Sequence, residues 1–181
     1  MVAPILVFAI GNESRADDAL GPLLLRDLGG WLKESKLSEQ VELLEEFQLQ
    51  VENALDMKDR QLVLFIDAGM DTPTPFAFYH AQPGDERMLY SHALTPESLL
   101  KVYVQFYERN APDVFVLCIR GISFELGGSL TLQAAANLSA ALDFVKLRLL
   151  DLDVLSWDSQ CTQQALGVSI RSAQETNQIT R

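Results

Sequence analysis

Two adjacent carboxylates stand in the stretch GNESRADDALG, residues 11 to 21, which follows directly on the apolar run Ile5 to Ile10. Asp17 and Asp18 repel each other there unless something positive sits between them. A third carboxylate, Asp67, follows the apolar run LVLFI, and an imidazole, His92, lies in the loop SHALTP just ahead of a helical pattern. Carboxylate oxygens with one imidazole nitrogen form a borderline-hard donor set suited to divalent zinc, nickel or iron. Three protein ligands leave positions open for a substrate or water. Simpler readings compete at each position. Either member of the pair could cap the first helix, Asp67 could accept from loop amides, and His92 could only orient its loop. Two aspartates in a row are one more than a cap needs. His80, the other histidine, shares a strand face with Phe76 and Phe78 and reads as structural. Gly11 and Gly21 read equally well as plain turn residues.

Positioning such groups requires a sheet, and the chain supplies one. Short β-rich apolar runs occur at Ile5 to Ile10, Val41 to Glu45, Gln61 to Ile66, Phe76 to Ala81 and Val114 to Ile119. They alternate with helical patterns at Pro22 to Ser35, Val51 to Met57, Pro96 to Arg109 and Leu130 to Leu150. This alternation predicts an α/β three-layer sandwich, a mostly parallel five-stranded twisted sheet with helices on both faces. LVLFI and VFVLCI do not alternate polar with apolar residues and read as fully buried strands, whereas PFAFYHAQ alternates and reads as an edge. Thr95 and Pro96 form an N-cap and a first-turn proline, followed by the stripe Leu99, Leu100, Val102, Tyr103 and Phe106. In open α/β sheets ligands bind beyond the carboxyl ends of the strands. That rule selects Gly11, Asn12, Asp17 and Asp18 after the first strand, Phe47 and Gln48 after the second, and Asp67 after the third.

Composition narrows the function. The 181 residues, 48% of them hydrophobic, suffice for one compact domain with a sizeable core. We place that domain at residues 1–152. After it, residues 153–181 are rich in Ser, Gln and Thr and are expected to form a lightly docked polar tail. A formal charge of −11 argues against nucleic acid and anionic lipid as partners. No run approaches a membrane span and no signal-peptide pattern opens the chain, so a cytoplasmic protein is expected. Two cysteines, Cys118 and Cys161, make neither a disulfide framework nor a Cys-rich metal site. G-x-S-x-G and H-E-x-x-H are absent, and neither cysteine has a histidine partner at a strand end.

Five segments, in order along residues 4 to 145, resemble one family. GNESRADDALG, FQLQVENALD, LFIDAG, SHALTPESLL and IRGISFELGGSLT are similar to the corresponding strand-end segments of the nickel-iron hydrogenase maturation endopeptidases. The composition of FQLQVENALDM and RGISFELG resembles that of the branch serving cytosolic, NAD(P)-linked hydrogenases. The resemblance implies an endopeptidase that removes a short C-terminal peptide from the hydrogenase large-subunit precursor after nickel insertion. It implies a trio of Asp18, Asp67 and His92, gripping nickel carried by the substrate, with no permanent cofactor on the enzyme. Gly11, Asn12, Asp17 and Gln48 would shape the substrate loop, and Asp17 would orient or cap beside Arg15. Asp18 or Asp67 would serve as base, a choice the sequence leaves open. The resemblance implies a monomer whose partner is that precursor. Two other classes stay in view. One is a binding module that senses a metallated partner without cutting it. The other is a phosphoacceptor receiver domain, which has an acidic pair after strand one and an aspartate after strand three but needs a lysine where this chain has Arg120.

Overall fold

The structure, a computed structural model, describes residues 2–84, 94–107 and 111–162. Five strands, β1 (Ile5–Ile10), β2 (Val41–Glu46), β3 (Leu62–Gly69), β4 (Phe76–His80) and β5 (Asp113–Arg120), form one sheet in the order β2-β1-β3-β5-β4. The first four in that order run parallel, and β4 joins antiparallel on the β5 edge. The alternating run PFAFYHAQ is therefore an edge strand, as its pattern predicts. Receiver-type sheets carry the order 2-1-3-4-5, with the last strand in sequence at the edge. The antiparallel β4 at this edge, with β5 inside, departs from it.

Period-two alternation divides the core between two faces. Ile5, Val7 and Ala9 of β1, with Leu62, Leu64 and Ile66 of β3, face α1 (Leu20–Glu34) and α4 (Leu132–Leu150). Leu6 and Phe8, with Val63 and Phe65, face α2 (Asn53–Asp56) and α3 (Pro96–Tyr107). Phe8 and Phe65 stack 4.9 Å apart across the adjoining strands. Helix α1 starts two residues before Pro22, so the proline sits in the first turn, where a missing N–H costs nothing. Thr95 caps α3 by accepting from the Ser98 amide at 3.2 Å.

Three expectations need revision. Asp67 does not follow its strand but lies within it, because β3 runs on to Gly69 in register with β5. The apolar stripe of α3 ends early: Phe106 is 73% exposed. Tyr107, four residues beyond Tyr103 and 4.8 Å from its ring, takes the inward place instead. The tail also begins later than residue 153. A short helix α5 (Val154–Asp158) carries Trp157, which is fully buried against Phe78 and Phe115 and donates its indole N–H to the carbonyls of Asp151 and Arg148. One large aromatic with a satisfied polar handle outweighs a polar neighbourhood. Thr162 then bonds the outer edge of β4 through Phe78, at 2.8 Å. Residues 163–181 lie outside the described residues.

Candidate functional site

The loop leaving β1 is folded tightly back on itself. Gly11 takes φ of +150°, and any Cβ there would collide with the carbonyl oxygen of Asp18. Gly21 is not a turn residue but the close-packing point of α1, where a Cβ would come within 2.5 Å of the Ile10 carbonyl oxygen. Between the glycines, Asn12 accepts from the Ser14 amide through its side chain, and Ala16 to Ala19 form a single 3-10 turn. Such a turn sends consecutive side chains about 120° apart. The two adjacent aspartates consequently have different surroundings.

Asp17 is fully buried and faces the loop between β5 and α4. Its Oδ2 accepts from the amides of Ile122 and Ser123 at 2.7 and 3.0 Å and from the Thr131 hydroxyl at 2.9 Å, and its Oδ1 accepts from the Thr131 amide at 2.7 Å. Burial works to raise its pKa, but these donors outweigh burial and hold it below the usual carboxylate range. It is an anchor between loops and presents no surface to a substrate.

Asp18 is half-buried and receives one amide, from Asn12 at 3.2 Å. Burial pushes its pKa up against the pull of that amide and of Arg15. On β3, alternation puts Asp67 on the face of Val63 and Phe65, the face α3 covers. Burial pushes its carboxyl up to about 7. Its Oδ1 accepts from the Ala68 amide at 2.7 Å, which works against that rise, while the charge of Asp18 adds to it. Among the described residues, Asp18 and Asp67 thus form an acid pair at the carboxyl edge of the sheet, with Arg15 beside Asp18 too weak to offset burial. A cation there would stabilise both ionised forms at once.

Of the other sequence candidates, Gly11 and Asn12 belong to this loop, and Gln48 is exposed on the loop after β2. His92 lies outside the described residues, and among those residues no group of three His, Cys, Asp or Glu side chains is arranged to hold a metal ion. Cys118 pairs with Asp67 across β3 and β5 but is no nucleophile. Burial, with the charge of Asp67, pushes its thiol up to about 12. Arg120, at the receiver-lysine position, is engaged by donating to the Thr72 carbonyl at 3.0 Å. His80 is structural, stacked on Phe115 with ring centroids 4.4 Å apart and 2.8 Å from Asp158. Sequence reading missed Thr131 as a site-building residue. Its signal was a Thr ahead of a helical run after a Gly-Gly turn, which marks an N-cap.

No family model matches the chain, and no curated protein matches it at the sequence level. Solved structures do match. The hydrogenase maturating endopeptidase HybD from Escherichia coli superposes with a TM-score of 0.62 at 22% identity, over 82% of this chain and 93% of that one. The [NiFe] hydrogenase maturation protease HycI from Thermococcus kodakarensis gives 0.59 at 20%, over 82% and 94%. A hydrogenase 2 maturation peptidase from a Thaumarchaeota archaeon gives 0.55 at 24%, over 82% and 99%. The chain has the hydrogenase maturation protease fold. The resemblance in the sequence is thereby met at the level of architecture. Within that fold the Asp18 and Asp67 pair occupies the edge where open α/β sheets bind their ligands.

Proposed function

We propose that this protein is an endopeptidase that removes a short C-terminal peptide from the nickel-loaded precursor of a hydrogenase large subunit, gripping the substrate's nickel with Asp18, Asp67 and, from the sequence resemblance, His92. The observation that carries this reading is the acid pair, with Asp67 raised to about 7 by burial and the charge of Asp18 adding to it. Two neighbouring carboxyls with few donors favour a shared proton or a cation. A nickel ion arriving on the substrate supplies the missing charge, and its bound state leaves room for the scissile carbonyl or a water. The solved structures named above are hydrogenase maturation proteases by description, which supports the same substrate. Phe47, Met70, Ile122 and Leu126, all exposed, stand on the loops around this edge. Exposed apolar side chains beside charged groups suit a polypeptide better than a small polar molecule.

In this reading cleavage is a checkpoint, because a precursor without nickel offers the acid pair nothing to hold. Hydrolysis adds water across one peptide bond, with Asp18 or Asp67 accepting the water's proton. The test uses enzyme treated with chelator and freed of it, mixed with nickel-loaded and nickel-free precursor in parallel, with the mass of the large subunit as readout. Loss of a defined C-terminal peptide from the nickel-loaded form alone is expected. Equal cleavage of both forms would refute the checkpoint, and tight binding of the nickel form without cleavage would establish a metal-sensing module instead.

A further inference from the structure

We infer that Asp17 is a positioning residue, which sets the direction of Asp18 by locking the turn that carries both to the loop between β5 and α4. The inference rests on the protease reading for its kinetic arm only. Asp17 gives its carboxylate to three backbone amides and one hydroxyl of residues 122, 123 and 131, and its own amide donates to the Ser123 carbonyl at 2.9 Å. The link is reciprocal elsewhere: the Gly127 amide donates to the Ser14 carbonyl at 2.7 Å, and Arg15 Nε donates to the Phe124 carbonyl at 3.3 Å. These bonds fasten the turn on the α4 side of the sheet. Asp18, the next residue on the same 3-10 turn, is thereby sent away from α4, where it takes the Asn12 amide and lies within electrostatic reach of Asp67.

Thr131 shows how fully the anchor is committed. Its hydroxyl donates its one proton to Asp17 and accepts from the Ala134 amide at 3.2 Å, so the start of α4 and the turn of Asp18 are set by one side chain. Rotation of the turn would need several of these bonds broken together. The direction of Asp18 is thus fixed before any substrate arrives, which is how a ligand group is preorganised by its supporting contacts.

The test compares Asp17→Asn, Thr131→Val and Thr131→Ser with the wild-type chain. On the protein alone, amide hydrogen exchange is followed at Asn12, whose amide reports the place of Asp18, and at β3 residues as the reference for global stability. Asp17→Asn is expected to lower protection at Asn12 by about tenfold beyond any loss in β3. With nickel-bearing precursor, and per folded molecule, its KM is expected to rise about tenfold, whereas a loss of folded protein alone would scale kcat and leave KM unmoved. Thr131→Val should move both readings in the same direction, and Thr131→Ser, which keeps the hydroxyl, should restore them. Thr131→Val also covers the case in which Asp17→Asn fails to fold. Asn12 protection falling only in step with β3, or an unchanged KM in the folded variants, would overturn the positioning role. Should the wild-type chain cut no precursor at all, the protease reading fails, and the exchange measurement still decides the role of Asp17.

Discussion

Asp17 and Asp18 are chemically identical neighbours, yet one turn of backbone gives them opposite environments. Asp17 is surrounded by donors and its pKa is lowered. Among the described residues, Asp18 and its neighbour Asp67 accept one amide each, and both are pushed up. A buried carboxylate saturated by N–H and O–H groups is structure, because every lone pair it turns inward is used. A half-buried pair that holds more negative charge than its donors can balance is kept at some cost in stability, and such groups are expected where a ligand completes them. The contrast marks Asp17 as scaffold and the Asp18 and Asp67 pair as the candidate site without reference to any related protein.

The strongest way to break the comparison is to remove a member of the unsatisfied pair. Asp67→Asn or Asp18→Asn is expected to lower processing of nickel-loaded precursor by about a thousandfold or more, the scale seen when a group that acts directly in catalysis is removed. Thermal unfolding should be unchanged or shifted upward, since the substitution removes a desolvated charge beside a like charge. A variant that unfolded far more easily than wild type and still processed in its folded fraction would move these residues to the scaffold side.

A loss of stability is expected for the saturated carboxylate. Asp17→Asn replaces a lone-pair surface with an NH₂ facing the amides of Ile122 and Ser123, and is expected to cost about 3 kcal/mol in denaturant unfolding. The pH dependence carries a sign that can be checked. The pKa of Asp17 is lowered in the folded state, so its stabilisation is present above the unfolded value near about 4 and is lost as pH falls through the lower folded value. The stability advantage of wild type over Asp17→Asn should therefore shrink below about pH 4. A constant difference down to pH 2 would mean the hydrogen bonds do not depend on the ionised form.

Much of this was legible in the sequence and some was not, for definable reasons. Strands β1, β3 and β5 announce themselves as apolar runs because a central strand is covered on both faces, and β4 announces itself as an edge by alternating. Asp18 and Asp67 were selected by their position at the ends of such runs. The resemblance implied an orienting or capping role for Asp17, but its partners were not readable, because its donors lie 105 to 114 residues away, where only tertiary folding brings them. The docking of α5 was hidden because composition averages over a window, and a single Trp157 decides it. Strand ends were read short at β3 for a related reason. Asp67 looks like a terminator in one dimension but pairs in register with Cys118 on its neighbour.

A third acidic neighbourhood sharpens the rule. His80 lies between Asp158 at 2.8 Å and Asp113 at 3.6 Å while stacking on Phe115, on the outer edge of the sheet. Here the carboxylates have a partner already, so the rule assigns the cluster to the scaffold. His80→Ala is expected to cost about 1 to 2 kcal/mol from the lost stacking and hydrogen bond. Processing by the folded variant should stay within about twofold of wild type, because Asp113, Asp158 and Phe115, which it touches, are not members of the acid pair. A large loss of processing at unchanged stability would place a second functional centre at this edge.

The smallest effect concerns the residue that opens the turn carrying both aspartates. Ala16 takes φ of 43°, a left-handed conformation, while buried beside Gly128. An L-residue with a Cβ is disfavoured there by about 1 kcal/mol or more, and glycine is not. Ala16→Gly relieves that strain but frees the unfolded chain, a loss of about 0.5 to 1 kcal/mol, so the two terms nearly cancel. Ala19, in the same turn at φ of −71°, has no strain to relieve. Ala19→Gly should accordingly cost about 1 kcal/mol, whereas Ala16→Gly should lie within about 0.5 kcal/mol of wild type. Measuring both by denaturant unfolding isolates the strain term. Equal losses at the two positions would show that the four bonds to Asp17 hold a turn that is relaxed, and not one they force into place.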